Sequence, residues 1–180
     1  MVTIVQKGHP VLRQIAKAVE TADIGGAKLK KILADMSKAL AKENDGVAIA
    51  APQIGISLRI FMISGKVFQK STDREQNLKP PANKVFINPK IIKLSRQKVI
   101  RDEGCLSVRP WYGKTKRAEK ATVEACDETG KKFTSSGGRL LAQIYQHETD
   151  HLNGILFDDH ATELKNLPAD PVAVIAPEKK

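Results

Sequence analysis

The stretch Gln146-His147-Glu148-Thr149-Asp150-His151 decides how the rest of the chain is read. Histidines four apart lie on one face of a helix, about 6 Å apart along its axis, so both imidazoles reach one metal ion. Glu148 sits beside the first histidine, too close in sequence to be a third ligand. It is placed instead as a general base for a water at the metal's open position. The flanks predict a helix, with Ser135-Ser136-Gly137-Gly138 as N-terminal punctuation and Gly154 as the C-cap. Leu140, Leu141, Ile144, Tyr145 and Leu152 are spread around that helix, which predicts a buried element at the floor of a cleft. Three fixed residues also arise by chance, and the charged groups then simply face water.

The third ligand decides the class. Open, catalytic sites keep three protein ligands and one water. Gly154 falls on the glycine of the longer pattern H-E-x-x-H-x-x-G-x-x-H, but Phe157 stands where that pattern needs its last histidine. Met1, Met36 and Met62 all lie upstream, so no Met-turn follows the helix. Asp158, Asp159 and His160 miss the spacing. The remaining candidate is Cys105, in Glu103-Gly104-Cys105-Leu106-Ser107. A thiolate with two imidazoles suits zinc or ferrous iron.

Outward from these motifs, 180 residues fit one domain able to bury a core. We expect a catalytic domain over residues 1–165 and a proline-containing, flexible tail over 166–180. No apolar run approaches a membrane span and the N-terminus reads as no signal peptide. Two cysteines make no disulfide framework, which points to a reducing cytoplasm. Cys126 reads as a small structural residue in a strand, and His9, before a proline in an extended segment, as structural too. The net charge of +10 is dispersed, without interleaved aromatics or a nucleic-acid motif. That excludes sequence-specific nucleic-acid binding and leaves weak attraction to a polyanion such as a ribosome surface.

Leu29, Ile32, Leu33, Met36 and Leu40 predict an amphipathic helix from about 26 to 43, stopped by Asn44-Asp45-Gly46. Strands are expected at Arg59–Ile63 and Val85–Pro89, with a surface loop over 66–84 between them. Ile91–Ile100 is expected to continue the sheet. Arg117–Ala125 reads as a further strand, turned by Asp127-Glu128-Thr129-Gly130 into Lys132-Phe133. Gly46-Val47-Ala48-Ile49-Ala50-Ala51-Pro52-Gln53-Ile54-Gly55 is rich in small residues that would let a peptide backbone approach closely.

Taken together, Gly46–Gly55, Glu103–Ser107 and His147–His151 resemble, in this order, the three motifs of the peptide deformylase family: G-φ-G-φ-A-A-P-Q-φ-G, E-G-C-φ-S and H-E-x-D-H. Gly8-His9-Pro10-Val11-Leu12-Arg13 and residues 116–119 extend the likeness, which runs from about residue 4 to about 158. The chain departs from the pattern at Ala48, where the motif has glycine, and at Val108-Arg109-Pro110-Trp111-Tyr112 on the cleft rim. The resemblance implies an α+β fold, with antiparallel β-sheets wrapped around a central helix that carries the third motif. It implies removal of formyl from the N-terminal formyl-methionine of nascent chains. Cys105, His147 and His151 would hold one divalent ion, ferrous iron in the cell with zinc or nickel able to substitute. Glu148 would be the base, with the Gln53 side chain and the Leu106 N–H as oxyanion donors. Val47, Ala48 and Gly104 would bond the peptide, and Leu140 and Ile144 would line the methionine pocket.

Two expectations concern particular residues. Asp150, on a buried helix beside a ligand, needs a partner, and Arg117 is the expected one. Ala48 is expected at negative φ, because alanine is costly where φ is positive. Two other functions would use the same features: a zinc metallopeptidase of the H-E-x-x-H type, or a basic RNA- or ribosome-associated protein with an incidental metal site.

Overall fold

The protein is described from a computed structural model covering residues 2–69, 72 and 78–166. Among these residues run two long helices, α1 (Ala27–Ala41) and α2 (Leu140–Leu152). Eight strands accompany them: β1 (Ala48–Ala50), β2 (Ile60–Ile63), β3 (Lys84–Leu94), β4 (Lys98–Gly104), β5 (Trp111–Ala118), β6 (Lys120–Cys126), β7 (Lys132–Gly138) and β8 (Thr162–Asn166). They form a five-stranded sheet in the order β1-β2-β3-β6-β7 and a three-stranded sheet in the order β4-β5-β8. Every strand pair is antiparallel. The fold is α+β.

Strand periodicity divides the core. Successive side chains point to opposite faces. Ala48, Phe61, Ile63 and Phe86 therefore pack on one face, with Ala142, Ile144, Tyr145 and Leu152 of α2. Ile49, Ile60, Met62, Val85 and Ile87 pack on the other, with Leu29, Ile32, Met36 and Leu40 of α1. Phe61 and Phe86 stack at 4.5 Å, and burying rings of this size contributes about 1.5–3 kcal/mol each. A third cluster joins Val11 and Leu12 to Cys105, Val108, Leu156 and Phe157, closing the region behind the cysteine.

Several expectations from the sequence are corrected. Ser135-Ser136-Gly137-Gly138 is not a helix cap; it ends β7, paired with β6 from Lys120↔Gly138 to Val123↔Ser135. The glycine at 137 lies under Leu141, whose side chain fills the space a Cβ would need. Arg139, at φ 53°, makes the sharp turn from β7 into α2. Ile91–Ile100 is not one continuous strand: β3 runs to Leu94, the chain turns, and β4 joins the other sheet. Likewise the extended run 117–125 breaks at Glu119 and changes sheets between β5 and β6. Pro10–Arg13 forms a 3-10 turn, capped by His9 Nδ1 accepting from the Val11 N–H. Asn166, expected in the tail, closes β8, a strand the sequence reading did not anticipate. The rest of the tail, residues 167–180, and part of the 66–84 loop lie outside the described residues.

Gly154 does terminate α2. It sits at φ 74° and its N–H bonds the His151 carbonyl, while the Ile155 N–H returns to Asp150. A Cβ there would lie 2.7 Å from the Arg13 carbonyl oxygen, so both conformation and space require glycine. The Leu152 carbonyl is taken by the Ala16 N–H and by Arg59. This satisfies the helix end and fixes the ligand-bearing turn against the N-terminal segment.

Candidate metal centre

α2 presents His147 and His151 on one face, and the β4–β5 connection brings Cys105 to meet them. The three ligand atoms lie within 4.8 Å of one another. Cys105 Sγ stands 3.2 Å from His151 Nε2. The sulfur accepts two polar hydrogens, from the Ser107 N–H at 3.4 Å and the Gln53 side-chain amide at 3.6 Å.

Glu103 holds His147 in place. Its carboxylate bonds His147 Nδ1 at 2.7 Å, which leaves Nε2 for a metal. The same carboxylate accepts from Thr115 Oγ1 at 2.7 Å, from Arg117 Nε at 3.1 Å and Nη2 at 2.6 Å, and from the Gln143 amide at 3.2 Å. Burial alone would push the Glu103 carboxyl up. Contact with His147 and Arg117 outweighs burial and holds it far below the ordinary carboxylate range. Arg117 also bonds Asp150 Oδ2 at 2.5 Å, the pair expected from the sequence. One guanidinium thus ties β5 to β4 and to α2 at once.

The donor set fits a divalent cation. Burial lowers the proton affinity of both histidines. His147 is nonetheless held well above its ordinary pKa by Cys105 and Glu103, so its surroundings call for positive charge. His151 is held well below, first by burial and then by His147, and is neutral as a ligand must be.

Glu148 is 3 % exposed, and its Oε2 has no hydrogen-bond partner among the described residues. Burial pushes its carboxyl up to about 7, with His147 opposing and Glu103 and Asp150 adding. A buried carboxylate oxygen without a partner costs stability, and such groups concentrate at functional sites.

The other expected site residues fall around this centre. Gln53 is buried; its Oε1 accepts from the Ala50 N–H at 2.8 Å and its Nε2 donates to Ser107 Oγ at 3.1 Å. Leu106 follows the cysteine, and its carbonyl is taken by the Gln6 side chain. Ala48 is not among the positive-φ residues and lies in β1. Because the Ser64 N–H bonds the Val47 carbonyl, the opposed pair Ala48↔Ile63 is a non-hydrogen-bonded one. The Ala48 N–H and C=O therefore point away from β2, to the open edge of the sheet, while its methyl packs in the core. Val47 is half-buried beside it. The glycine at 104 lies against the Tyr112 ring, 2.4 Å from where a Cβ would sit. Ile144 of α2 is buried in the core against the five-stranded sheet, whereas Leu140 at the helix start is 39 % exposed.

Sequence reasoning gave no role to Glu103, Ser107 or Tyr112. A signal for Glu103 was present: Val99, Arg101 and Glu103 share the inward face of β4, and an inward acid requires cationic partners.

A purely structural metal site closes its shell with four protein ligands. Here three converge, and the neighbouring buried carboxylate of Glu148 keeps an oxygen without a partner among the described residues. The chain belongs to the polypeptide deformylase family, whose model matches residues 1–167. It is 37 % identical over 156 residues to a peptide deformylase of Rhizobium meliloti, covering 87 % of this chain and 82 % of the relative. It is 42 % identical over 154 residues to peptide deformylase 2 of Clostridium acetobutylicum, covering 85 % and 90 %. Among solved structures, the class I type b peptide deformylase of Acinetobacter baumannii with Met-Ala-Ser bound superposes with a TM-score of 0.77. The two are 31 % identical, over 89 % of this chain and 98 % of that one. These comparisons do not support the metallopeptidase and RNA-associated alternatives. Phe157, where the peptidase pattern needs a histidine, stacks over the His147 ring at 6.4 Å.

Proposed function

We propose that this chain removes the formyl group from the N-terminal formyl-methionine of newly made polypeptides and releases formate. The observation that carries this is Glu148: a buried carboxylate with a free oxygen beside Cys105, His147 and His151, in a chain of the deformylase family. Cys105, His147 and His151 would hold the ion, which when bound polarises a water and the formyl carbonyl. Glu148 takes a proton from the attacking water and delivers it to the departing amine as the C–N bond breaks. The Gln53 amide and the Leu106 N–H donate to the formyl oxygen as charge develops on it. Val47, Ala48 and Gly104 hold the peptide by its backbone, with β1's open edge taking it as an added strand. Leu140 and Ile144 receive the methionine side chain. The bound Met-Ala-Ser in the Acinetobacter relative supports a peptide of this kind.

In this reading the catalytic unit runs through β8 to Asn166, and the enzyme works in the cytoplasm. The dispersed +10 charge favours weak association with the ribosome surface. The metal is ferrous iron in the cell, with zinc or nickel able to substitute. Iron–thiolate sites oxidise in air, so iron-loaded enzyme should lose activity faster than nickel-loaded enzyme. Equal rates would count against iron. The function itself is tested by formate release from a formyl-methionyl peptide, with metal content measured on the same sample. No formate from metal-replete protein would overturn it.

A further inference from the structure

Charges that are dispersed along the sequence gather at one corner of the fold. The corner is where the two sheets meet: the turn at 95–97 joins β3 to β4, and Glu119 joins β5 to β6. Backbone bonds hold these connections together, from the Ser95 N–H to the Lys120 carbonyl at 2.9 Å and from the Glu119 N–H to the Gln97 carbonyl at 3.1 Å. The Lys120 N–H returns to the Ser95 hydroxyl at 3.0 Å.

Strand alternation turns the lysines outward. α2 lies between the sheets: Ala121, Val123 and Ala125 of β6 pack with its apolar residues on one side. Glu103 of β4 and Arg117 of β5 bond it on the other. Side chains alternate along a strand, so Lys120 and Thr122 face outward on β6, and Lys93, opposite Thr122, shares that face. By the same count Lys98 faces outward on β4 and Lys116 on β5, opposite Ile100. Arg96 stands in the bend between the sheets. All five cations are exposed, and none has a side-chain hydrogen bond or ion pair among the described residues. Across residues 93–98 and 116–120 the one acid is Glu119, and no aromatic stands there. The corner therefore offers charge without a surface for base stacking or an interfacial membrane anchor.

We propose that Lys93, Arg96, Lys98, Lys116 and Lys120 form a docking face for the phosphate backbone of RNA, read by charge and not by sequence. Each phosphate that a cation neutralises releases counterions, which drives binding and makes it salt-dependent. β1's open edge, where the peptide pairs, lies three strands from β6, so RNA on the corner leaves it free. The docking face stands apart from the deformylase reading, because binding is measured without turnover.

The test is fluorescence anisotropy of a short labelled RNA duplex titrated with the whole protein at several salt concentrations. The wild type should bind with Kd of about 1–100 μM near physiological salt, and log K should fall against log salt with a slope of about −3 to −5. Lys93→Gln/Arg96→Gln/Lys98→Gln should weaken binding by about tenfold or more and make the slope shallower by about 2–3. Lys28→Gln/Lys38→Gln/Lys42→Gln removes the same charge from α1 and should change affinity by less than about threefold. Arg96→Glu alone, in an exposed bend, should weaken binding by about threefold or more, which keeps the test open should the triple variant fold poorly. Equal losses in the two triple variants would mean that net charge alone attracts RNA, and would overturn the docking face. So would a wild type that does not bind the duplex. Phosphatidylglycerol vesicles bound more tightly than the duplex at equal phosphate concentration would make the corner a membrane surface and overturn it as well.

Discussion

Two clusters in this molecule have the same chemistry and different surroundings. Arg117 binds Glu103 and Asp150 behind the metal centre; Arg109 binds Asp45 and Glu43 on the rim. In the first the arginine and Glu103 side chains are 7 % and 4 % exposed, in the second the arginine is 28 % exposed. Burial changes what the same pair is for. Charges taken out of water are stable only while every partner is present, so the inner cluster acts as one rigid unit and orients His147 through Glu103. Rim charges keep much of their hydration and contribute little to folding. They are free to respond to what binds.

The largest test of that contrast is Arg117→Ala. It strands Glu103 and should cost about 3–5 kcal/mol in urea unfolding, while metal affinity drops about 10–100-fold. A loss below about 1 kcal/mol with metal retained would mean the inner cluster is not a unit.

Ala48 lies between the two regions, its methyl in the inner core and its backbone on the edge that leads to the rim. Ala48→Gly should change kcat/KM by less than about tenfold, or about 1.4 kcal/mol. A larger gain would show that the methyl obstructs the peptide.

Arg109→Ala should cost less than about 1 kcal/mol in the same unfolding assay. A loss equal to that of Arg117→Ala would erase the distinction. Smallest of all, raising salt should shrink the Arg109→Ala difference to within a few tenths of a kcal/mol, since half-exposed charges are screened. The Arg117→Ala loss should persist under the same conditions.

The inner region was far more legible in the sequence than the rim. His147, Glu148 and His151 announce themselves because helical spacing converts directly into a shared face. The need of Asp150 for a cation follows from burial alone, and Arg117 meets it. Ala48 could be read because sterics tie alanine to negative φ. The helix α1 was expected over 26–43 and runs over 27–41 for the same reason, its apolar spacing. What escaped depends on tertiary closure. Ser135-Ser136-Gly137-Gly138 looks like a cap locally, but strand pairing with β6 and the space under Leu141 claim it. The exchange of sheets at Glu119 leaves no mark on a stretch that is extended on both sides. Arg109 and Asp45 are 64 positions apart, and no local pattern links them.

The central claim is the division of labour between three ligands and one base. It is tested most directly by measuring metal content and formate release together in Glu148→Ala and His151→Ala. The account predicts about one metal ion per chain in Glu148→Ala, with turnover reduced by about 100-fold or more, and both metal and turnover lost in His151→Ala. Metal loss in Glu148→Ala equal to that in His151→Ala, or turnover in Glu148→Ala close to wild type, would contradict it.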